Sequence, residues 1–118
     1  KNISFSNSNI LIMGLSFKED CPDLRNSRVF DLISEFKALH CKVEVYDPIV
    51  NQSEAQIEYG IDIIEYPKNG KYDVIILAVS HKKFLELTSK KIRLFGKSNH
   101  VLYDVKYILK ESEVDGRL

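Results

Sequence analysis

The stretch from Gly14 to Arg28 contains the residues best suited to bind an anion. An apolar run leads into it and a run with helical periodicity follows, which predicts a strand-to-helix connection longer than the usual few residues. It contains Lys18, Arg25 and Arg28. An arginine can hold a phosphate through two parallel N–H bonds, and a lysine acts as a movable point charge. We therefore interpret this connection as the binding loop for a phosphorylated ligand, with Arg28 equally consistent with a solvated charge.

The predicted place of this loop in the fold supports that interpretation. Ligands of open α/β sheets bind outside the carboxyl ends of the strands. A helix that begins there adds unpaired N–H groups and a partial positive charge, which favour an anion. Two unit charges about 4 Å apart gain about 1 kcal/mol in water and about 4 kcal/mol at an effective dielectric of roughly 20. Such contacts therefore contribute appreciably to the binding of an anion in a half-closed cleft.

Further candidates follow the other predicted strands. Lys106 follows the last strand at the same edge of the sheet, so it can converge with Lys18 on one pocket, or simply be exposed. His81 follows the fourth strand, where a lone histidine is more often a surface or capping residue than a catalyst. Cys21 has no general base beside it and is interpreted as structural or incidental. We assign no catalytic residue and no metal site.

The composition excludes several classes of function. Seventeen basic residues balance 17 acidic ones among 118, which argues against a broad nucleic-acid surface. No apolar run approaches the roughly 20 residues that cross a bilayer, and no signal peptide is evident. Two cysteines without disulfide or metal spacing favour a reducing compartment, so we predict a cytoplasmic protein. Residues 1–8 are interpreted as a linker from a larger protein and residues 9–118 as one domain.

Hydrophobic patterning predicts alternating strands and helices. The predicted strands are 9–16, 41–46, 61–64, 72–79 and 101–105; the predicted helices are 27–39, capped by Asn26 or Ser27, and 51–59, ended by Gly60, followed by two helical turns at 81–87 and 89–95. The tail from 110 onward is predicted to pack loosely or as one helical turn. Right-handed crossovers make this a doubly wound, Rossmann-like α/β fold, with a parallel five-stranded sheet in the order 3-2-1-4-5.

A dinucleotide fingerprint is missing from this topology. The first turn has Gly14 but no G-x-G-x-x-G, whose further glycines let a pyrophosphate approach the backbone. Asp47 stands where an acidic residue would hold a ribose. We favour the alternative that the Asp-Pro pair caps the turn that follows.

Five segments of the sequence contain characteristic motifs: Gly14–Ser27 (with Phe-Lys-Glu-Asp and Asp-Leu-Arg), Val43–Pro48, Tyr72–Phe84, Leu102–Lys106 and Val114–Leu118. Together they resemble the C-terminal UDP-binding domain of the UDP-glucose/GDP-mannose dehydrogenase family. The sequence is most similar to the bacterial UDP-N-acetylhexosamine 6-dehydrogenases of capsule and O-antigen synthesis, and the resemblance extends from about Asn9 to Leu118.

The resemblance implies a larger enzyme. It would contain an NAD-binding domain, a central helical dimerisation segment and this UDP-sugar domain, and it would oxidise the sugar C6 alcohol to a carboxylate in two hydride transfers. The catalytic cysteine would lie in the preceding part, so this chain alone would be inactive and at best a weak UDP binder. Neither the sugar epimer nor its N-acetylation follows from the sequence.

The resemblance also implies roles for individual residues. Arg25 matches an arginine that reaches the NAD side of the cleft, and Lys106 matches a basic position, often arginine, that contacts the substrate. The residues implied to bind the UDP-sugar are Phe17, Lys18, Glu19, Asp20, Asp23 and Lys106.

Two alternatives remain open. A receiver-type phosphoacceptor domain would share the length and sheet, and Ser80 and Lys106 would fit it. In this sequence, however, no acidic pair directly follows the first predicted strand, and the third predicted strand ends without a phosphoacceptor aspartate. A purely structural docking domain is the other alternative.

Overall fold

The structure, a computed structural model, describes residues 6–117. Strands and helices alternate through most of the chain, and a 3₁₀ turn at Glu111–Glu113 precedes the last strand. In chain order the elements are β1 (Asn9–Met13), α1 (Val29–Ala38), β2 (Lys42–Tyr46), α2 (Gln52–Tyr59), β3 (Tyr72–Leu77), α3 (Lys82–Arg93), β4 (Gly96–Asp104) and β5 (Gly116–Arg117). No helix of residues 6–117 is long and apolar enough to cross a bilayer.

All strand pairs are parallel, and the sheet order is β2-β1-β3-β4-β5. The central strand β1 is buried on both faces, and its Ile12 pairs with Val45 on one side and Ile76 on the other. Alternate β1 side chains enter two separate cores, one shared with α1 and one shared with α3. Each fully buried aliphatic side chain contributes roughly 1.5–3 kcal/mol before the cost of ordering it.

The predicted third strand requires a correction. Residues 61–64 form only a single bridge, Val45 to Ile63, with a hydrogen bond of 2.9 Å from Ile64 N to the Val45 carbonyl. This segment lies beside β2 as predicted, but the left-handed end of α2 at Gly60 and the nearby Pro67 leave no length for a ladder.

The predicted order 3-2-1-4-5 is therefore wrong in its strand 3 and in its numbering, whereas the other four predicted strands lie in the expected order as β2-β1-β3-β4. Four strands of five or more residues form the main sheet, and the two-residue β5 extends it beyond β4. That short strand pairs Gly116 with Tyr103 in what was predicted to be a loose or helical tail. Only the backbone pairing marks it, so no hydrophobic pattern could predict it.

The predicted helices are present with shifted ends, but the N-cap of α1 is Arg28 and not the predicted Asn26 or Ser27. Gly60 ends α2 in a left-handed conformation, as predicted. The α3 helix contains a break at Thr88 (φ 68°, ψ 157°), which agrees with the two predicted helical turns. The α1 helix begins at Val29 rather than at residue 27, because Ser27 Oγ donates to the Leu15 carbonyl at 2.6 Å and accepts from Val29 N at 3.2 Å.

The described end of the predicted linker contacts the domain. Asn7 N donates to the His40 carbonyl at 3.0 Å, and the Ser8 carbonyl accepts from Lys42 N at 2.8 Å. Residues 1–5 lie outside the described part of the chain, as does residue 118.

Gly14 permits the close contact between the binding loop and β3. Its φ is +105°, which L side chains rarely adopt, and an added Cβ would lie 2.6 Å from Val79 Cβ and 2.8 Å from Val79 N. Gly14 N also donates to the Tyr46 carbonyl at 2.8 Å, which fixes its position. The loop therefore leaves β1 along a path that only glycine allows.

We expect Gly14→Ala to lower the free energy of unfolding by about 3 kcal/mol, because both the positive φ and the contact with Val79 oppose a methyl group. Gly70→Ala is the matched control: its φ is +68° but nothing lies within 4 Å of the added Cβ. Gly70→Ala should lower the free energy of unfolding by only about 1 kcal/mol. Urea denaturation of both variants tests this, and equal losses would contradict the steric argument.

Candidate functional site

The Asp47 carboxylate holds the start of the binding loop against the end of β2. Its Oδ2 accepts from Leu15 N at 2.7 Å and from Ser16 N at 3.2 Å. Its Oδ1 accepts from Ile49 N at 2.8 Å and from Val50 N at 3.3 Å. Asp47 is buried, so these bonds keep both turns together away from water. This arrangement fits the turn-capping interpretation of Asp47.

His81 completes this network from the N-terminus of α3. Its Nε2 lies 2.9 Å from Asp47 Oδ2, and its Nδ1 accepts from Asp20 N at 2.9 Å. A backbone N–H can only donate, so Nδ1 is unprotonated and Nε2 bears the proton that points to Asp47. His81 was predicted to be a surface or capping residue. It is fully buried, so a surface position is wrong, and it occupies the N-cap position of α3 without a capping bond from its side chain.

The network determines the charge state of Asp47. Burial by itself would raise the pKa of Asp47, but hydrogen bonds from His81 and from Leu15 N lower it below its ordinary value. The ionised form is therefore the native one, and the carboxylate is satisfied within the protein.

A cleft of about 420 Å³ lies at the carboxyl edge of the sheet. One wall comes from the binding loop and the start of α1, and the other comes from the residues that follow β3 and β4. Two cationic side chains, Arg28 and Lys106, line it, and neither forms an ion pair with the residues the structure describes. The remaining lining residues are Ser16, Phe17, Asn26, Ser27, Val29, Leu32, Ala78, Val79 and Val105.

A second buried carboxylate fixes the turn that carries Lys106. Asp104 ends β4, and its Oδ1 accepts from Lys106 N at 3.1 Å. Its Oδ2 accepts from Leu109 N at 2.8 Å, and Val105 N donates to the Leu77 carbonyl at 3.1 Å. These bonds hold the backbone turn beside the cleft, while Lys106 is exposed.

The structure brings some of the predicted substrate residues to this cleft. Phe17, whose side chain is half exposed, and Lys106 both line it. Lys18 and Glu19 are exposed on the loop and do not line the cleft. Convergence of cations thus occurs between Lys106 and Arg28, and a contact of Lys18 with the ligand stays a prediction.

The predicted Asp23 and Arg25 are engaged with each other. Arg25 Nε lies 3.1 Å from Asp23 Oδ1 and Arg25 Nη2 lies 3.0 Å from Asp23 Oδ2, a two-point pair on the surface. This hydrogen-bonded pair lowers the pKa of Asp23 and raises that of Arg25. Neither residue lines the cleft.

Two residues of this site were not assigned a role from the sequence. Arg28 was considered equally consistent with a ligand contact and with a solvated charge, although its place at the start of a helix beside the switch point was the available signal for a ligand contact. His81 lacked any signal, because its partners lie 34 and 61 residues away in the chain.

Neither cysteine lines this cleft. Cys21 is partly exposed on the loop, and Cys41 is buried, which raises the pKa of its thiol. Within residues 6–117 no group of three or more histidine, cysteine, aspartate or glutamate side chains could hold a metal ion.

The chain belongs to the UDP-glucose/GDP-mannose dehydrogenase family, as its UDP binding domain, because a sequence profile of that description matches residues 11–111. The resemblance seen in the five sequence segments is confirmed. The receiver-type alternative finds no support in this match or in the relatives and structures described next.

Two similar proteins are much longer than this chain. It is 46% identical over its whole length to a UDP-N-acetyl-D-glucosamine 6-dehydrogenase from Salmonella typhi, of which it covers 28%. It is 32% identical to protein CapL from Staphylococcus aureus, with 98% of this chain and 27% of CapL covered. The chain therefore spans little more than a quarter of the length of these relatives.

Solved structures share the fold. An NDP-N-acetyl-D-galactosaminuronic acid dehydrogenase from Methanosarcina mazei superimposes with a TM-score of 0.77 at 21% identity, over 93% of this chain and 23% of that one. A UDP-D-ManNAc dehydrogenase from Pyrococcus horikoshii gives 0.72 at 23% identity, over 98% and 26%. These likenesses confirm a Rossmann-like α/β domain with a parallel sheet.

We expect Asp47→Asn to lower the free energy of unfolding at pH 7 by about 3 kcal/mol, since an amide cannot accept from both sets of N–H donors. The depressed pKa of Asp47 means that its contribution is complete above about pH 4 and is lost as pH falls through the native pKa. The difference from the unsubstituted chain should therefore narrow below about pH 4.

Urea denaturation at a series of pH values from 7 to 3 measures this difference. Asp31→Asn in the first turn of α1 is the matched control, because Asp31 is exposed there and contributes about 0.5 kcal/mol to the helix terminus. A constant gap between the Asp47→Asn variant and the original chain across that range would contradict the role of the ionised carboxylate.

Proposed function

We propose that this chain binds the UDP part of a UDP-sugar within an NAD-dependent 6-dehydrogenase that oxidises the sugar C6 alcohol to a carboxylate. Family membership and the names of its relatives support the class, and a UDP-N-acetylhexosamine is the substrate that the 46% identical relative favours. The observation that carries the proposal is the cleft at the carboxyl edge, lined by two cationic side chains that have no ion-pair partner among residues 6–117.

The cleft suits a nucleoside diphosphate. Lys106 and Arg28 lie on its two walls, so a diphosphate between them would meet a positive charge from each side. Phe17 offers an exposed ring edge to an apolar or aromatic part of the ligand. The start of α1 adds backbone N–H groups and the positive end of a helix dipole.

The exposed residues of the loop are proposed to meet the ligand from outside the cleft. Lys18 and Glu19 project from the loop into solvent here, and they would contact substrate once the rest of a complete enzyme closes over it. Asp20 and Asp23 would act through the loop's conformation, since each bonds within the chain. Arg25 would approach the cofactor side, as its exposed position permits.

This chain's own residues do not fit the pyrophosphate of NAD. The connection after β1 has no glycine cradle, and Gly14 is packed against Val79 instead of facing an open turn. We therefore propose that NAD is held mainly by another part of the complete protein. This domain would bind and orient the nucleotide-sugar, with no catalytic residue of its own, in a cytoplasmic homo-oligomer.

We expect UDP to bind this 118-residue chain weakly, with Kd of about 1 mM, and Lys106→Ala and Arg28→Ala to weaken binding about fivefold each, or ~1 kcal/mol, for loss of one charge in a half-open cleft. Lys42→Ala is the control, because Lys42 is exposed at the opposite edge of the sheet. NMR titration with UDP measures all four. Equal affinity of all chains would refute the assignment of the cleft.

In a complete enzyme that contains this chain, Lys18→Ala should reduce kcat/KM by about tenfold or more if Lys18 reaches the substrate, since a charge-assisted hydrogen bond in a closed site is worth ~1.5–3 kcal/mol. Steady-state kinetics with the UDP-sugar and NAD provide the measurement. An unchanged kcat/KM would remove Lys18 from the site while leaving the assignment of Lys106 intact.

A further inference from the structure

The N-terminus of α3 is capped from the binding loop instead of from its own chain segment. His81 occupies the N-cap position, but its side chain makes no capping bond. Asp20 Oδ1, from the loop, accepts from Lys82 N at 2.9 Å. In return Asp20 N donates to His81 Nδ1 at 2.9 Å. We call this reciprocal pair of hydrogen bonds the Asp20–His81 clasp.

The imidazole also anchors the beginning of the loop. His81 Nε2 lies 2.9 Å from Asp47 Oδ2 and 3.3 Å from Ser16 Oγ. Ser16 Oγ donates in turn to the Lys18 carbonyl at 2.9 Å. One fully buried ring thus connects the turn after β2, the first loop residues and the loop tip at Asp20.

The clasp holds a backbone conformation that the loop would not favour alone. Asp20 has φ 55°, in the left-handed region. A non-glycine residue there costs about 1 kcal/mol or more and persists where the surroundings fix it. The carboxylate of Asp20 at the positive end of α3 and the bond to His81 Nδ1 both offset that cost. The ring of Phe84 packs against the His81 imidazole, with the two ring centroids 5.3 Å apart.

We infer that His81 is a positioning residue for the nucleotide site: its Nδ1, through Asp20, fixes the loop conformation in which Phe17 lines the cleft. This inference rests on the proposed UDP binding, but the clasp itself can be measured without ligand. His81 does not line the cleft, so its effect on UDP passes through the loop.

Two substitutions separate the nitrogens of the ring. In His81→Asn the amide oxygen takes the place of Nδ1 and can still accept from Asp20 N, while the donor to Asp47 is lost. In His81→Gln the amide nitrogen reaches the Nε2 position and can donate to Asp47, while the acceptor for Asp20 N is lost. Both leave a similar cavity, so they form a matched pair.

Amide hydrogen exchange and UDP titration, both followed by NMR, are the readouts. We expect His81→Gln to speed exchange of the Asp20 amide at least tenfold and to weaken UDP binding about fivefold. His81→Asn should keep that amide protected and rescue UDP affinity to within about twofold of the original chain, although it loses a buried bond to Asp47. Thermal unfolding measures the stability of each variant separately from its affinity for UDP.

A merely structural role predicts a different pattern. UDP affinity would then follow stability in both variants, and His81→Asn, which leaves the Asp47 carboxylate short of a donor, would bind no better than His81→Gln. That result, or an Asp20 amide equally protected in both, overturns the inference. If UDP fails to bind the unsubstituted chain, the proposed function falls, while the exchange data still decide whether the clasp exists.

Asp20→Ala provides a second measurement if a His81 variant does not fold. It removes only the carboxylate that caps α3, and Asp20 is exposed, so the fold should persist. We expect faster exchange of the Lys82 amide together with shifted Phe17 and Lys18 resonances. Unchanged Phe17 and Lys18 resonances would show that the clasp does not control the loop.

Discussion

The binding edge of this domain depends on one buried carboxylate. Asp47 accepts hydrogen bonds from four backbone N–H groups and from His81, and these donors come from the ends of three different chain segments. Burying an ion is unfavourable unless its oxygens are satisfied, so the convergence of these five donors stabilises the folded chain. The same requirement fixes where the loop leaves β1 and where α3 begins. The geometry of this edge is thus fixed because backbone N–H groups and His81, in place of water, satisfy the Asp47 carboxylate.

Acidic side chains perform the same task at the end of β4. Asp104 binds two N–H groups of the turn that follows, and nearby Asp115 accepts from Leu102 N at 2.8 Å and from Arg93 at 3.1 Å. Aspartates at the strand ends are therefore satisfied inside the protein. The net charge of the chain is zero, yet the cleft is lined by Arg28 and Lys106, because the local anions already have partners. A cationic pocket arises from the distribution of charge rather than from its total.

In this Rossmann-like domain a long loop replaces the glycine-rich turn of dinucleotide-binding domains. Gly14 still provides the sharp exit from β1, but its close neighbour is Val79, not a phosphate. The connection is lengthened up to Arg28, and it is held by bonds to Asp47 and His81 instead of by a tight turn. A longer loop can present side chains to a ligand, whereas a glycine-rich turn presents backbone.

The sequence by itself determined the fold class, the family, the long loop after β1 and the edge of the sheet where Phe17 and Lys106 lie, because these follow from local hydrophobic periodicity and from motifs contiguous in the chain. It overestimated residues 61–64 as a strand and missed β5, since ladders of one or two residue pairs leave no periodic signal. Only the tertiary structure decided that Arg28 lines the cleft, that Asp23 and Arg25 bind each other, and that His81 is buried against Asp47 and Asp20. Hydrogen bonds between residues 34 and 61 positions apart depend on how the elements pack, and no local pattern encodes that packing.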